Sequence, residues 1–224
     1  GGISIKEEFS DIIVEAPLGS RTKLTLPDGT LVWLNAGSRI TYSQGFGVGN
    51  RKIELIGEGY FEVKRNEEVP FLVKTNSLLV KVLGTKFNFR DYPDDAEAVV
   101  SLSEGKVALN NLLKKEKEAF LLPNERVVLN KKDGRMHVEH STVANALQWT
   151  NGYLFFDEEL LPDVVKELER SYNVKIQIAS DTLNTFRFYG NFVHREQNIQ
   201  EVLEALSATR KIHYIIEGHN ITLY

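Results

Sequence analysis

The chain has 224 residues, a formal net charge of −4 and no cysteine. The negative charge argues against a surface for the nucleic-acid backbone, and the absence of cysteine excludes disulfides, thiolate metal sites and cysteine nucleophiles. Its apolar runs are shorter than the roughly 20 residues that cross a bilayer. Because the chain begins with Gly1-Gly2, we expect a piece of a longer protein whose targeting or anchoring segments lie upstream.

Residues 1–140 predict an all-β domain. Pro27, Asp28 and Gly29 form a turn signal within "LTLPDGTLVWL", since proline presets φ and Asp-Gly tolerates the left-handed region. Short runs of alternating apolar residues follow, and Arg51–Ile56 and Tyr60–Arg65 read as two separate strands. Many strands without intervening helices predict a sandwich or a jelly-roll-like wrap.

The segment between those two runs contains an acidic residue flanked by glycines, Gly57-Glu58-Gly59. Isolated glycines in strands usually mark a bulge or the close approach of another backbone. We therefore predict a bend at this point, with Glu58 pointing outward into solvent. A contact between Glu58 and a partner protein is the alternative.

The last third of the chain repeats itself. Residues 141–151 read as a linker that is compatible with a short helix, and residues 152–224 predict a small α+β domain. When residues 154–178 are shifted by 38 they align with residues 192–216 without a gap. Each copy has the order strand, helix, strand, which predicts two βαβ repeats.

Several segments taken together resemble one family. The stretches "LPDGTLVWLNAGSRITY", "RKIELIGEGYFEVKRNEEVPFLVKT", "VKVLGTKFNFRDY" and "LSEGKV" follow one another in the order found in the FecR family of anti-sigma regulators. "GYLFFDEELLPDVVKELERSYNVKI" is similar to the C-terminal module of Bacteroidetes-type members. That module is in turn similar to the short signalling domain at the N-terminus of TonB-dependent transporters and secretins.

The resemblance implies a function. The chain would be the periplasmic sensor region of a single-pass inner-membrane anti-sigma factor, with its membrane anchor outside this sequence. Its expected partners are the N-terminal signalling domain of a TonB-dependent outer-membrane transporter and, through a missing cytoplasmic segment, an extracytoplasmic-function sigma factor. No nucleic acid is expected as a partner.

A carbohydrate-binding module of jelly-roll type is the alternative function. It would use Trp33 or Trp149 as a stacking platform for sugars. For Trp33, which alternates with its neighbours in a strongly apolar hairpin, a role in the core is favoured.

The candidate partner-binding residues lie in two predicted edge strands. An exposed edge can pair with a strand of another chain through main-chain hydrogen bonds, and aromatic residues are common interface anchors. "FRFYGNFV" and the C-terminal strand supply the candidates Phe186, Phe188, Tyr189, Phe192, Ile221 and Tyr224. The alternative is that Phe186 and Phe188 fill the core.

Gly84-Thr85 is the pair with the most suggestive chemistry. A threonine hydroxyl can attack the preceding carbonyl where the backbone is strained, and a Gly-Thr pair in this motif is a proposed self-cleavage site in some FecR-like regulators. A glycine bulge followed by a β-branched strand residue is the alternative, which the sequence favours. We therefore expect no enzymatic activity toward other substrates.

No other residues indicate a metal or a cofactor. Asp91, Asp94 and Asp95 could offer oxygen ligands to Ca²⁺, but they lack the glycine and the final glutamate of a calcium loop, and a solvated turn is favoured. His137 and His140 do not form a zinc motif. We predict that the protein has neither a metal site nor a cofactor.

Overall fold

The computed structural model describes residues 10–224, so residues 1–9 of the predicted first domain lie outside the described part. The chain forms two compact units. The first contains, among the described residues, 10–15, 22–34 and 38–143. The second contains residues 144–224 together with two short segments, Ala16–Arg21 and Asn35–Gly37.

The first unit is all-β, as predicted. It is one 13-stranded sheet that curves almost into a barrel. Its strands are β1 (Asp11–Ala16), β2 (Thr22–Thr25), β3 (Leu31–Leu34), β4 (Ser38–Ser43), β5 (Arg51–Glu62), β6 (Phe71–Lys74), β7 (Leu78–Val82), β8 (Lys86–Asp91), β9 (Glu97–Glu104), β10 (Val107–Asn111), β11 (Ala119–Leu121), β12 (Glu125–Asn130) and β13 (Met136–His140). Four phenylalanines (Phe61, Phe71, Phe87 and Phe89) are fully buried in its core.

Strand β5 joins the two halves of this sheet. Residues Arg51–Glu54 pair in parallel with β6, whereas residues Gly57–Glu62 pair antiparallel with β8. The partner changes at Gly57, which has φ +98 and whose Cβ, if present, would lie 2.9 Å from Cα of Ser38. The positive φ and the close backbone approach expected at these glycines are therefore confirmed at Gly57, but the two predicted strands are one strand of 12 residues.

Glu58 does not point into solvent, so that prediction is wrong. Glu58 is 4% exposed, and its carboxylate accepts a hydrogen bond of 2.9 Å from Nδ2 of Asn88. Arg90 is the register partner of Glu58 on β8, and its Nη1 lies 3.4 Å from Oε1 of the carboxylate. The Glu58 amide donates to Oγ of Ser38. The buried carboxylate is stable here because the neighbouring strand supplies its hydrogen-bond donor and counter-charge.

The second unit is α+β, as predicted. Its elements are α1 (Val143–Ala146), β14 (Tyr153–Leu160), α2 (Leu161–Tyr172), β15 (Lys175–Ile178), β16 (Arg187–Val193), α3 (Ile199–Ser207), β17 (Tyr214–Glu217) and β18 (Asn220–Leu223), with short 3₁₀ helices at Gln148–Asn151 and Asp181–Thr185. Helix α2 has Pro162 in its first turn and ends at Asn173, which has φ +50. The side chain of Asn198 accepts from the Glu201 amide and caps α3.

The two repeats keep the order strand, helix, strand, but their strands are shared between two sheets. β14 pairs antiparallel with β16 in a two-stranded sheet, whereas β15, β18 and β17 form a three-stranded sheet in that order. The two strands of each repeat therefore lie in different sheets, and neither repeat contains a parallel pair of its own. The buried faces of α2 and α3 and the inner faces of both sheets form one apolar core.

Two segments from between the first strands belong to the second unit. The Gly19 amide donates to the Arg170 carbonyl near the C-terminus of α2 at 2.7 Å. Nε of Arg21 donates to Oδ1 of Asn35 at 2.9 Å. The second unit is therefore discontinuous in sequence. Across the described residues, no helix has the length and apolar character needed to span a membrane.

Candidate functional site

Only some side chains of the predicted aromatic strand "FRFYGNFV" lie at the surface. Phe188 and Phe192 are 6% and 5% exposed, and their rings stack 6.1 Å apart in the core. Phe186 packs partly buried against the same core, whereas Tyr189 is 66% exposed. Because side chains alternate along a strand, Phe188 and Phe192 face inward, and we remove them from the candidate interface.

The C-terminal strand is not an edge, so the second predicted edge is wrong. β18 pairs in parallel with β15 and antiparallel with β17, which makes it the central strand of its sheet. Ile221 is 2% exposed and belongs to the core. Tyr224 remains 48% exposed, and its ring lies beside that of His213, with ring centroids 5.5 Å apart.

The outer edge of β16 is open. In an antiparallel pair, alternate residues direct their N–H and C=O groups toward the partner strand and away from it. The main-chain amide of His194 donates to the Gly152 carbonyl. The register of β16 with β14 therefore directs the N–H and C=O groups of Tyr189 and Asn191 away from β14. The described residues provide no hydrogen-bond partner for these groups. Further along, the Val193 amide is occupied by Oε1 of Gln197 at 2.9 Å.

An aromatic surface lies beside this open edge. The ring of Phe155 contacts the ring of Tyr189 edge-on with a centroid distance of 6.2 Å, and Tyr153 on the same face of β14 is 38% exposed. Directly after them come three acidic residues, Asp157–Glu159, where β14 has a bulge and Arg187 donates to the Glu158 carbonyl. Tyr153, Phe155 and Tyr189 form what we call the β14–β16 aromatic face.

A second open edge lies on β17, which sequence reasoning missed. Its residues Ile215 and Ile216 are 48% and 38% exposed. The apolar run "IHYII" before the turn "EGHN" was the available signal. The opposite edge of the same sheet is blocked, because the Ile176 amide on β15 donates to Oε2 of Glu169 at 3.1 Å.

Two titratable residues of this unit have a shifted pKa, and burial raises the pKa of the Tyr172 hydroxyl to about 12. Burial lowers the pKa of His194, and the charge of nearby Arg21 lowers it further. A hydrogen bond to the Ser171 carbonyl acts in the opposite direction and raises the pKa. The imidazole packs against Tyr172 with a centroid distance of 4.7 Å. The neutral imidazole is therefore the form that suits the folded unit.

Gly84 and Thr85 lie in a tightly packed turn between β7 and β8. A Cβ on Gly84 would lie 2.7 Å from Cα of Arg65, so packing requires a glycine here. Gly84 does not have a positive φ. Thr85 is 3% exposed, and its hydroxyl donates to the Lys106 carbonyl at 3.3 Å. Close approach of the Arg65 backbone thus accounts for the glycine, and the expected lack of self-cleavage stays a prediction.

Two of the three aspartates of "DYPDD" are held by basic side chains. Asp91 pairs with Nζ of Lys131 at 2.6 Å, and Asp95 accepts from Nε of Arg90 at 3.1 Å. Within residues 10–224, no three His, Cys, Asp or Glu side chains are grouped as metal ligands.

The two tryptophans are not open platforms for sugars. Trp149 is 7% exposed. Trp33 is half-buried and lies on the opposite face of β3 from the core residue Leu34, so its predicted role in the core is wrong. Its ring has Nζ of Lys23 above it, 4.6 Å from the centroid, and Tyr60 packs beside it at 5.2 Å.

Comparison with known proteins agrees with this architecture of a β unit followed by a small α+β unit. Residues 13–108 match the family model described as FecR protein, and residues 153–223 match the one described as FecR, C-terminal. The comparison with curated proteins gives no match.

Two crystal structures, each of a Parabacteroides distasonis protein assigned as an anti-sigma factor, are similar to this chain. One has 33% sequence identity and a TM-score of 0.86, and the match covers 95% of this chain and 98% of that one. The other has 32% identity and the same TM-score of 0.86, with coverage of 96% and 99%. The chain belongs to the FecR family of anti-sigma regulators.

Proposed function

We propose that this chain is the periplasmic sensor region of a membrane-anchored anti-sigma factor. It relays a signal from a TonB-dependent outer-membrane transporter to an extracytoplasmic-function sigma factor. A cytoplasmic segment outside this chain holds the sigma factor, and an inner-membrane helix outside this chain connects the two. The observation that carries the proposal is the open edge of β16, because it lies in the unit that matches the FecR C-terminal model.

The transporter's N-terminal signalling domain docks on this edge by adding a strand. The outward N–H and C=O groups of Tyr189 and Asn191 provide the main-chain hydrogen bonds, which give affinity without dependence on sequence. The β14–β16 aromatic face provides the anchors, because large rings that become buried dominate binding energy at interfaces. Tyr189, at 66% exposure, has the most surface to bury.

A binding experiment tests this proposal. The intact chain is titrated by calorimetry with purified N-terminal signalling domains from the transporters of the same genome. We expect one domain to bind. Asn191→Pro, which removes an outward N–H, and Tyr189→Lys should each weaken that binding by about tenfold or more, roughly 1.4 kcal/mol.

A matched control lies on the blocked edge of the other sheet. Gln177 on β15 is exposed, and its change to Lys should leave the affinity unchanged. Binding that survives both β16 variants would place the interface elsewhere. If no domain in the panel binds the unmodified chain, the proposed relay is wrong.

The sensor region works by binding and has no catalytic activity toward external substrates. In this proposal Gly84 serves close packing against Arg65, and Thr85 is a buried residue directly before β8. The gel experiment given below tests this part separately.

A further inference from the structure

The free edge of β17 presents unpaired main-chain groups. His213 and Tyr224 exchange two hydrogen bonds, of 2.8 and 2.9 Å, directly before the strand pair begins. Alternation along the antiparallel register then directs the N–H and C=O of Ile215 toward β18 and those of Tyr214 and Ile216 away from it. Residues 10–224 supply no partner for these four outward groups.

This edge lacks most of the devices that usually protect one. Native edges are blunted by proline, bulges, inward-pointing charges or a covering side chain. β15 uses such a cover, the Glu169 carboxylate on the Ile176 amide. β17 is short, with only four residues, but it has no proline or bulge, and its two isoleucines extend to opposite faces of the sheet.

The sequence of β17 is complementary to itself in one antiparallel register. If Ile215 lies opposite Ile215 of a second copy, all four outward groups find partners, because Tyr214 then faces Ile216 of the other strand. The same register places the imidazole of His213 opposite the carboxylate of Glu217, once on each side of the axis. Apolar side chains therefore meet apolar side chains on both faces, and at each end an imidazole lies opposite a carboxylate.

We propose that β17 pairs with β17 of a second copy of this chain around a two-fold axis at Ile215. The two three-stranded sheets then join into one sheet of six strands, in the order β15-β18-β17-β17-β18-β15. The pairing consists of four main-chain hydrogen bonds and a few side-chain contacts. It therefore buries less surface than the roughly 1,000 Å² of a stable specific interface. The association is accordingly weak and depends on concentration. It uses a different edge from the one proposed for the transporter.

Covalent trapping tests the pairing and its register together. The chain has no cysteine, so a single introduced thiol reports on one position. In Ile215→Cys the two thiols would face each other in a non-hydrogen-bonded pair, with Cα atoms about 4.5 Å apart, within the about 4.4–6.8 Å that a disulfide accepts. We expect a disulfide-linked dimer on a non-reducing gel after mild oxidation.

Ile216→Cys is the matched control, since it is also exposed and lies one residue away. Its diagonal distance to the same residue of the second copy is about 7–8 Å, which is too long for a disulfide. We expect it to stay monomeric under the same conditions. Equal crosslinking of the two variants, more crosslinking of Ile216→Cys, or no crosslinking of Ile215→Cys at any concentration would overturn the proposal.

Proline substitutions distinguish the edge of β17 from the edge of β16. Ile216→Pro removes an outward N–H without removing a hydrogen bond to β18. In the Ile215→Cys background it should abolish the crosslink while the thermal unfolding transition is retained. Asn191→Pro, on the edge of β16, should leave the crosslink intact. If instead Asn191→Pro abolishes it, the copies meet through β16, and our assignment of the interface to β17 is wrong.

Discussion

Arg51 is a buried arginine whose replacement should unfold the first unit at much lower denaturant concentration. Its side chain is 3% exposed. All three guanidinium nitrogens donate hydrogen bonds, to the carbonyls of Val69 (2.7 Å), Lys64 (2.6 Å), Asn66 (3.2 Å) and Leu83 (3.3 Å) and to the carboxylate of Asp28 (3.1 Å). One side chain thus holds the connection between β5 and β6, the end of β7 and the first hairpin.

The magnitude follows from the acceptors that lose their donor in Arg51→Met. The carbonyls of Lys64 and Asn66 lie in an exposed connection and can turn toward water at small cost. Asp28, whose side chain is 11% exposed, keeps its hydrogen bonds from Thr30 but loses its counter-charge. Breaking a buried ion pair in this way costs about 3–5 kcal/mol, and we expect the lower end, about 3 kcal/mol.

Urea unfolding measures this difference. The chain has two tryptophans, and Trp33 lies in the first unit whereas Trp149 lies in the second. In a Trp149→Phe background, the fluorescence of Trp33 therefore reports the first unit alone, which avoids treating two units as one two-state transition. The free energy of unfolding is extrapolated linearly to zero urea for the chain with Arg51 and for the Arg51→Met variant, and the two values are compared.

Arg65→Met is the control. Arg65 is 67% exposed, and its ion pair with Glu67 lies at the surface, so its loss should cost at most about 1 kcal/mol. If Arg51→Met also costs less than about 1 kcal/mol, or if the two variants cost the same, the buried guanidinium does not hold these segments together and our reasoning is refuted.

Four further predictions concern other parts of the chain. Gly57→Ala should lower the free energy of unfolding of the first unit by more than about 1 kcal/mol, because φ is +98 and the Cβ meets Ser38. Phe188→Ala should cost the second unit about 3–5 kcal/mol by leaving a cavity in its core, as measured by thermal and urea unfolding. His194→Gln should reduce the loss of thermal stability that occurs as the pH falls below the ordinary histidine pKa of about 6.5. The unmodified chain should run as one full-length band on a denaturing gel, and Thr85→Ala should run identically.

The two stability predictions have matched control variants. Gly47→Ala has a similar φ of +90 but open space around its Cβ, so it should cost less than Gly57→Ala. Tyr189→Ala removes an exposed ring and should change stability by at most about 0.5 kcal/mol. Equal losses within either pair would contradict the packing argument. Two fragments from the unmodified chain, with none from Thr85→Ala, would establish self-cleavage and contradict our expectation.

The direction of the pH effect follows from the lowered pKa of His194. Between the lowered pKa of the folded state and the ordinary value near 6.5, the unfolded chain binds more protons than the folded one. Stability conferred by the neutral imidazole is therefore present above the ordinary value and is lost as the pH falls toward the lowered one. An unchanged pH dependence in His194→Gln would show that other groups cause it.

Local sequence signals were sufficient for the fold class, the turns and the helices. Pro27-Asp28-Gly29 forms the turn it predicts, with φ +91 at Gly29, and the spacing of Leu161, Val164 and Leu168 gives the buried face of α2. The unbroken course of β5 was not predictable in this way. Gly57 looks like the end of a strand in sequence, but in the fold it lets one strand change partners.

The site was harder to predict because an edge is defined by long-range pairing. Alternation alone could assign Phe188 inward and Tyr189 outward. Nothing in the local sequence of β18 shows that β15 pairs with it from the other side, an arrangement that buries Ile221 and leaves β17 at the border. The burial of Glu58 likewise depends on Asn88, 30 positions away.

The discontinuous second unit affects how this protein can be dissected. A fragment starting at residue 144 would contain every helix and strand of the FecR C-terminal match and still lack Gly19, whose amide donates to the Arg170 carbonyl. Weak binding by such a truncated piece would then reflect a damaged fold and would say little about the interface. Truncation mapping, a common first step with signalling regulators, should therefore give way here to point substitutions in the whole chain.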